Sequence, residues 1–365
     1  MTVRLFISLL ISICGVGGAY QAIGQPSSEP SLVIGAILPL TGSSAAFGLA
    51  SKRGIELAIE DLSASDKARI KVVIEDDGLN NSRSITAAQK LLTINKADAL
   101  LTWSSGTALA VGSLSEARGI PQLAVASDPA VSRNHRYSFN YWPIPENETK
   151  TLYDYLKRHD KKRIAMITQV SSFTLAMRDA FAQHVRTEDA LKIIADEEIS
   201  SDATDMRSTL LKIKAKGEAD GLIVAFWPGQ LASVVRQARE LGISAPLFGY
   251  ETFEDKASFN AAGTLLRDAV YSTGADARPD FLEKFRRKYP GEHDYTASHS
   301  YDIIRLFAEA SRTRKDGASI AQFLRTLRKY PSVSGEISST GDNRFTLPTT
   351  LKRLDTNGDP QPITE

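Results

Sequence analysis

Hydrophobic and polar positions alternate along the chain with two different periods, and they predict a regular series of strands and helices. Short apolar runs, of which Leu32–Leu38 and Ala99–Trp103 are the clearest, are typical of buried strands. Between such runs the apolar residues recur every three or four positions, as Ile55, Ile59 and Leu62 do, and this spacing predicts helices that bury one face. Apolar strands separated by helices indicate a parallel sheet covered by helices on both faces.

This alternation starts again near residues 140–143, which indicates a second unit of the same kind. Three further helical stretches follow residue 273, and they are too few for a third unit, so we expect them to return to the first. The predicted fold class is α/β, with two doubly wound parallel-sheet lobes, a hinge and a ligand cleft between the lobes. The predicted domains are residues 31–141 plus 274–345 for lobe 1 and residues 142–273 plus 346–365 for lobe 2.

The segment 1–24 differs from the rest of the chain and predicts a cleaved signal peptide. Arg4 precedes an apolar stretch that is followed by small residues, and cleavage after Ala19 or after Gly24 satisfies the small-x-small rule. Cys14, the single cysteine of the chain, lies in this segment. A lipid anchor on Cys14 is the second alternative, because a bulky isoleucine precedes it. We therefore expect an exported protein without disulfides.

Composition and charge argue against several classes of function. The formal net charge is +1 and no long run of one sign occurs, which disfavours binding to nucleic acid or to an anionic membrane. The five histidines do not cluster, so we expect no metal site. The phosphate-binding loop, the nucleophile elbow and the His-Glu-x-x-His zinc motif do not occur in the sequence. We therefore predict that the protein is not an enzyme and has no cofactor, with a secreted α/β enzyme as the disfavoured alternative.

The clearest candidate for binding chemistry is the turn Ser104-Ser105-Gly106, which follows the strand ending at Trp103 and precedes a predicted helix. The N-terminus of a helix presents free backbone N–H groups and the positive end of the helix dipole, which suit a carboxylate or a phosphate. An ordinary strand-to-helix turn capped by serine has the same pattern, so this turn alone does not decide between the two interpretations.

Three other strand ends carry suggestive residues, namely Ser127 after Ala126, Trp227, and Glu251. Ligands in such folds lie at the carboxyl ends of the strands, so we expect these residues to face one cleft. The serines and the helix N-terminus could hold a carboxylate, and Glu251 could hold an ammonium group. A single tryptophan at a strand end is more often a core residue than a ligand contact. The aromatic residues predicted to wall the cleft are Phe47, Trp103, Phe173 and Trp227.

Several short motifs follow one another along the chain in a specific order and spacing. They are Ile34-Gly35-Ala36-Ile37-Leu38-Pro39-Leu40-Thr41-Gly42, Phe47-Gly48, residues 54–59, Gly119-Ile120-Pro121, residues 236–242 and Tyr301-Asp302. Together they resemble the leucine/isoleucine/valine-binding protein family, which comprises type I periplasmic solute-binding proteins of ABC transporters. The resemblance covers essentially all of the chain after the signal segment. It implies a periplasmic protein that delivers a small molecule to a membrane permease, and we expect it to be a monomer.

The resemblance also implies roles for individual residues. Ser105 matches the serine that holds the α-carboxylate, and Glu251 matches the acid that pairs with the α-ammonium. Ser127 takes the place of a threonine after a gap of one residue, which leaves Ala126 and Asp128 as neighbouring alternatives. The chain departs from the family where Phe173 and Trp227 replace tyrosines, where Trp103 enters the side-chain pocket, and where Phe47 takes another aromatic position.

We therefore predict that the protein binds a small amino acid with a branched-chain, aromatic or bulky apolar side chain. The ligand-binding residues predicted are Phe47, Trp103, Ser104, Ser105, Ala126, Ser127, Phe173, Trp227 and Glu251. Two alternatives keep the same fold. One is a binding protein for an aromatic carboxylate or an amide, and the other is a sensory protein that presents its occupied cleft to a receptor.

Overall fold

The computed structural model describes residues 31–313 and 316–364, and the predicted signal segment with Cys14 lies outside them. Its first half forms a five-stranded parallel sheet in the order β2-β1-β3-β4-β5. The strands are β1 (Leu32–Leu38), β2 (Ile70–Asp76), β3 (Ala99–Trp103), β4 (Gln122–Val125) and β5 (Ser138–Asn140). The helices between them are α1 (Ala45–Asp61), α2 (Ala64–Arg69), α3 (Asn81–Thr93) and α4 (Ser105–Arg118).

A seven-stranded sheet follows in the order β15-β14-β10-β9-β8-β6-β7. Its parallel strands are β6 (Arg163–Gln169), β7 (Lys192–Ile199), β8 (Gly221–Ala225), β9 (Leu247–Gly249) and β10 (Val270–Gly274). Its helices are α5 (Pro145–Arg158), α6 (Ser172–Glu188), α7 (Arg207–Lys214), α8 (Leu231–Glu240) and α9 (Lys256–Ala262).

The C-terminal part of the chain supplies elements to both sheets. Helices α10 (Pro279–Lys288), α11 (Ala297–Thr313) and α12 (Gly317–Thr326) pack in the core of the first sheet. A small antiparallel sheet of β11 (Tyr330–Ser332), β12 (Gly335–Ser339) and β13 (Phe345–Thr346) follows them. The last strands, β14 (Thr349–Leu354) and β15 (Pro360–Pro362), add an antiparallel edge to the second sheet.

The burial of β1 shows why its sequence is apolar at every position. Ile34, Ala36 and Leu38 point to a core shared with α1 and α11, whereas Val33 and Ile37 point to a core shared with α3 and α4. Successive side chains of a strand face opposite sides of the sheet, so a strand covered on both sides is apolar throughout. The predicted fold class, two doubly wound α/β units, is confirmed, and the antiparallel strands β14 and β15 are an addition to it.

Within the described residues, the chain crosses three times between the part packed on the first sheet, which includes α10–α12 and the small sheet, and the part built on the second sheet. The crossings follow β5, β10 and β13. The boundaries predicted for the two lobes remain a prediction, but this arrangement places several short connections side by side between the sheets. In the same part of the chain, no helix is both long enough and apolar enough to cross a membrane.

Helices α1 and α11 approach each other so closely that one position between them excludes a side chain. A Cβ atom on Gly54 would lie 2.0 Å from the backbone oxygen of Ala297. We expect Gly54→Ala to destabilise the protein by about 1–3 kcal/mol, because backbone cannot yield as a flexible side chain can. Urea unfolding monitored by circular dichroism measures the change.

Gly112 in α4 provides a matched control, since a Cβ atom there would make its nearest contact at 3.5 Å with His135. Gly112→Ala should leave stability unchanged or raise it by up to about 1 kcal/mol through the higher helix propensity of alanine. Equal effects of Gly54→Ala and Gly112→Ala would contradict the proposed close approach of α1 and α11.

Candidate functional site

All nine predicted site residues line one pocket between the two sheets. Phe47 comes from α1, Trp103 to Ser105 from the junction of β3 and α4, and Ala126 and Ser127 from the end of β4. The second sheet supplies Phe173 from α6, Trp227 after β8 and Glu251 after β9. The carboxyl ends of the parallel strands of both sheets therefore meet here, as in other open α/β folds. The roles of the nine residues toward a ligand remain a prediction.

The first sheet presents hydrogen-bond donors to the pocket at the N-terminus of α4. Ser104 caps the helix, because its Oγ accepts a hydrogen bond from the backbone N–H of Thr107 at 3.2 Å. Ser105 Oγ accepts one from the backbone N–H of Asp128 at 3.1 Å, which leaves the hydroxyl proton of Ser105 free to be donated to a ligand. The helix dipole adds positive potential at the same place, so this side of the pocket suits an anionic group.

Two backbone conformations beside the pocket are strained. Ser104 has a φ of 82° and Thr296, which precedes α11, has a φ of 68°. Side chains other than glycine rarely adopt such angles, and a β-branched residue such as threonine is disfavoured most. Strain of this kind persists where the surrounding structure enforces it, and it is concentrated at ligand sites. Both strained residues line the pocket.

The second sheet presents a carboxyl group to the pocket, whose lining includes no lysine or arginine among the residues that the structure describes. Glu251 begins a short 3-10 turn after β9, and its Oε2 is buried without a hydrogen-bond partner among the described residues. Burial raises the pKa of Glu251 to about 7. An ionised carboxylate in such a position is costly unless a donor or a cation reaches it. This side of the pocket therefore suits an ammonium group.

A buried ion pair fixes the turn that carries Glu251. Glu254, in the same turn, binds Lys352 of β14 at 2.8 Å, and Lys352 also contacts Asp276 at 2.7 Å. The side chains of Lys352 and Glu254 are only 6% and 5% exposed. Lys352 is therefore occupied by two carboxylates of its own and supports the turn that carries Glu251.

Aromatic rings fill most of the remaining space. Phe47 stacks on Trp103 with ring centroids 5.7 Å apart, and Trp103 meets Trp227 across the cleft at 5.9 Å. Phe173 lies 5.2 Å from Trp227, whose indole N–H donates a hydrogen bond to Ser171 Oγ at 3.1 Å. The pocket retains about 30 Å³, which is room for roughly one water molecule. A ligand larger than water therefore requires the cleft to open or the rings to move.

Comparison with known proteins agrees with the two-sheet architecture and its cleft. Residues 31–359 match a protein-family model described as periplasmic binding protein. This chain belongs to the periplasmic binding protein family.

Individual members of the family resemble this periplasmic binding protein over most of their length. A curated relative, the Leu/Ile/Val-binding protein homolog 8 of Brucella suis, is 25% identical over 309 residues, which cover 78% of this chain and 76% of the relative. The crystal structure of the leucine-binding protein LivK from Thermotoga maritima aligns with a TM-score of 0.83 at 20% identity, covering 91% of this chain and 98% of that one.

A solute-binding protein of an ABC transporter from Rhodopseudomonas palustris, solved with 3,4-dihydroxybenzoic acid, aligns with a TM-score of 0.76 at 20% identity. The alignment covers 89% of this chain and 93% of the Rhodopseudomonas palustris protein. At such identities the two structures show the fold, and the predicted membership of the leucine/isoleucine/valine-binding type is confirmed by the family model together with the relatives.

Several residues of the pocket have no signal in the sequence. Trp142 lies just before α5, and Tyr295 lies in the loop before α11, where no motif marks it. Trp142 is part of the segment where the strand-helix pattern starts again, so its position in a connection between the sheets could have suggested it. The other pocket residues that sequence analysis did not single out are Val125, Thr252 and Thr296.

The ion pair that holds the turn of Glu251 can be tested by removing the positive charge of Lys352. We expect Lys352→Met to destabilise the protein by about 3–5 kcal/mol, because Glu254 would remain buried without a partner. Urea unfolding at pH 7 measures this change. Lys256→Met is the matched control, since Lys256 pairs with Asp359 at 2.8 Å on the surface, where both side chains are about half exposed. An exposed pair contributes about 0–1 kcal/mol, so equal losses in the two variants would contradict the buried pair's role.

Proposed function

We propose that this periplasmic binding protein binds an α-amino acid in the cleft between its two sheets. The observation that carries the proposal is the unpartnered Oε2 of Glu251, which lies in the same pocket as the N-terminus of α4. An α-amino acid carries an ammonium and a carboxylate on one carbon. The ammonium would pair with Glu251, and the carboxylate would accept hydrogen bonds from Ser105 and the helix N-terminus.

The aromatic rings would surround the side chain of the amino acid. Phe47, Trp103, Phe173 and Trp227 offer apolar surface on both sides of the cleft. The indole N–H of Trp103 is buried without a partner among the described residues, so it could donate a hydrogen bond to the ligand. The proposed ligand class is an amino acid with a branched-chain, aromatic or other bulky apolar side chain. Because the pocket holds only about 30 Å³, such a ligand would enter while the cleft is open.

The names of the relatives support the proposal. The Brucella suis relative is called a Leu/Ile/Val-binding protein homolog, and the Thermotoga maritima structure is of a leucine-binding protein. An aromatic carboxylate is the second candidate, which the Rhodopseudomonas palustris complex with 3,4-dihydroxybenzoic acid and the ring-lined pocket favour. Such an acid would use the N-terminus of α4 and leave Glu251 without a cation.

We further infer that the protein acts in transport rather than catalysis. Two lobes joined by several short connections can close over a ligand by a hinge motion, and a membrane permease would recognise the closed form. Export by the signal segment would place the protein, as a monomer, in the periplasm. A sensory protein with the same cleft would present the closed form to a receptor instead.

A thermal-shift screen of the mature protein against amino acids, amides and aromatic carboxylates tests the ligand class. A ligand at about 100 times its dissociation constant adds roughly 2.7 kcal/mol of stability. We expect the melting temperature to rise with one class of α-amino acid. In Glu251→Gln the affinity for that amino acid should fall by about 2–5 kcal/mol, which is roughly 30-fold or more, because a charged partner of the ammonium is lost.

Glu283→Gln is the control for this substitution, since Glu283 is exposed on α10, and it should bind as the wild type does. A shift with benzoate that Glu251→Gln leaves unchanged would favour the aromatic carboxylate. Unaltered binding of an amino acid by Glu251→Gln would exclude the proposed ammonium site.

A further inference from the structure

A second buried carboxyl group, that of Glu148, lies next to Glu251 but is not among the residues that line the pocket. Glu148 occupies the first turn of α5, which begins at Pro145. Its side chain is 0% exposed, and neither of its carboxyl oxygens makes a hydrogen bond of good geometry among the described residues. The indole N–H of Trp142 lies near the carboxyl group and lowers its pKa, but it is itself without a well-formed hydrogen bond there. A buried carboxyl group without a well-formed hydrogen bond is rare enough to require an explanation.

The explanation lies in the contact between Glu148 and Glu251. Their carboxyl groups are within hydrogen-bonding reach of each other. Ionised carboxylates only accept hydrogen bonds, so two of them can be bonded to each other only when one holds a proton. Two like charges in contact and away from water are also strongly disfavoured. One proton shared by the pair satisfies both groups.

The surroundings of the pair decide which residue keeps the proton. The other ionisable groups that face it are Tyr250 after β9, Tyr295 before α11 and Glu254 in the 3-10 turn. None of these supplies a positive charge, and Lys352 is held by Glu254 and Asp276. Burial and the neighbouring charge of Glu251 raise the pKa of Glu148 well above its usual value, whereas the pKa of Glu251, which borders the pocket, is about 7.

We propose that Glu148 is a positioning residue whose neutral carboxyl group donates a hydrogen bond to the Glu251 carboxylate and directs that carboxylate toward the ammonium group of the ligand. The inference rests on the proposed function. The pair then carries a single negative charge, which matches one ammonium group. Because the affinity for an ammonium depends on the ionised form of Glu251, it declines as the pH falls below about 7, by up to roughly tenfold per pH unit.

The first experiment compares Glu148→Gln with Glu148→Leu in calorimetric titrations with L-leucine between pH 5.5 and pH 8.5. The glutamine amide replaces the donor, so Glu148→Gln should stay within about threefold of the wild-type affinity. Leucine keeps the volume and removes the donor, so Glu148→Leu should bind at least about tenfold more weakly at pH 7.5, with its pH midpoint moved upward. Glu146→Gln, an exposed neighbour in the same turn, is the control.

Equal weakening by Glu148→Gln and Glu148→Leu would overturn the inference, because it would mean that the negative charge of Glu148 attracts the ligand. Unchanged affinity and an unchanged pH midpoint in Glu148→Leu would also overturn it.

The second experiment needs no ligand and follows urea unfolding of the unliganded protein across the same pH range. A carboxyl whose pKa is raised by folding contributes stability that is full below its unfolded pKa, about 4.3 for glutamate, and is lost as the pH rises through its folded pKa. For Glu251 the loss should begin near pH 4.3 and be complete near pH 7 in the wild type and in Glu148→Gln. In Glu148→Leu the end of this loss should move to higher pH.

A shift of this loss to lower pH in Glu148→Leu would show that Glu148 is ionised and would overturn the inference. If L-leucine binds to no variant while the unfolding profiles behave as expected, the proposed ligand is wrong and the pairing of Glu148 with Glu251 is upheld.

Discussion

The cleft depends on one electrostatic constraint, which is a carboxylate held away from water without a cation of its own. Glu251 lines the pocket from the second sheet, and Lys352, which supports the same turn through Glu254, is already bound by Glu254 and Asp276. A charge in this position gains stability only from a partner that enters the cleft. The donors at the N-terminus of α4 form the complementary half of the site, because they favour a negative group.

The rest of the architecture places these two halves opposite each other. Parallel strands in both sheets end at the cleft, so residues far apart in the chain meet there without any local motif that joins them. The aromatic rings between the halves serve as apolar walls, and the contact of Trp103 with Trp227 connects the two sheets directly. The close approach of α1 and α11 at Gly54 fixes the position of α1, and therefore the position of the Phe47 ring in the pocket.

The sequence was sufficient to predict the apolar strands of the first sheet from local periodicity, but not the three-residue β5. The nine residues of the pocket were predicted from the position of strand ends and from the family resemblance. Leu32–Leu38 and Ala99–Trp103 have the predicted bounds. Helix α5 begins at Pro145, shortly after the predicted restart near residues 140–143, because proline fits the first helical position. Strand β15 contains two prolines and is exposed, so no pattern of apolar residues predicts that it pairs at the edge of the second sheet.

The contact between Glu148 and Glu251 shows the limit of such reasoning most clearly. Glu148 is an ordinary acidic residue in the first turn of a helix, where negative charge is favoured by the helix dipole and faces solvent in most proteins. Only the packing of α5 against β10 and β14 of the second sheet turns it inward, and that packing depends on the whole second half of the chain.

Closure of the cleft, ligand charge and protonation are linked by this contact. A closed cleft with an ionised Glu251 and no ammonium is unfavourable, and a proton on Glu251 would relieve the same charge as the ligand does. Ligand and proton therefore compete for one carboxylate, and each favours the closed state only through its interaction with that group. With Glu148 neutral, the pair presents one negative charge to be neutralised, so the closed cleft is stabilised best by a ligand that brings one positive charge to that position.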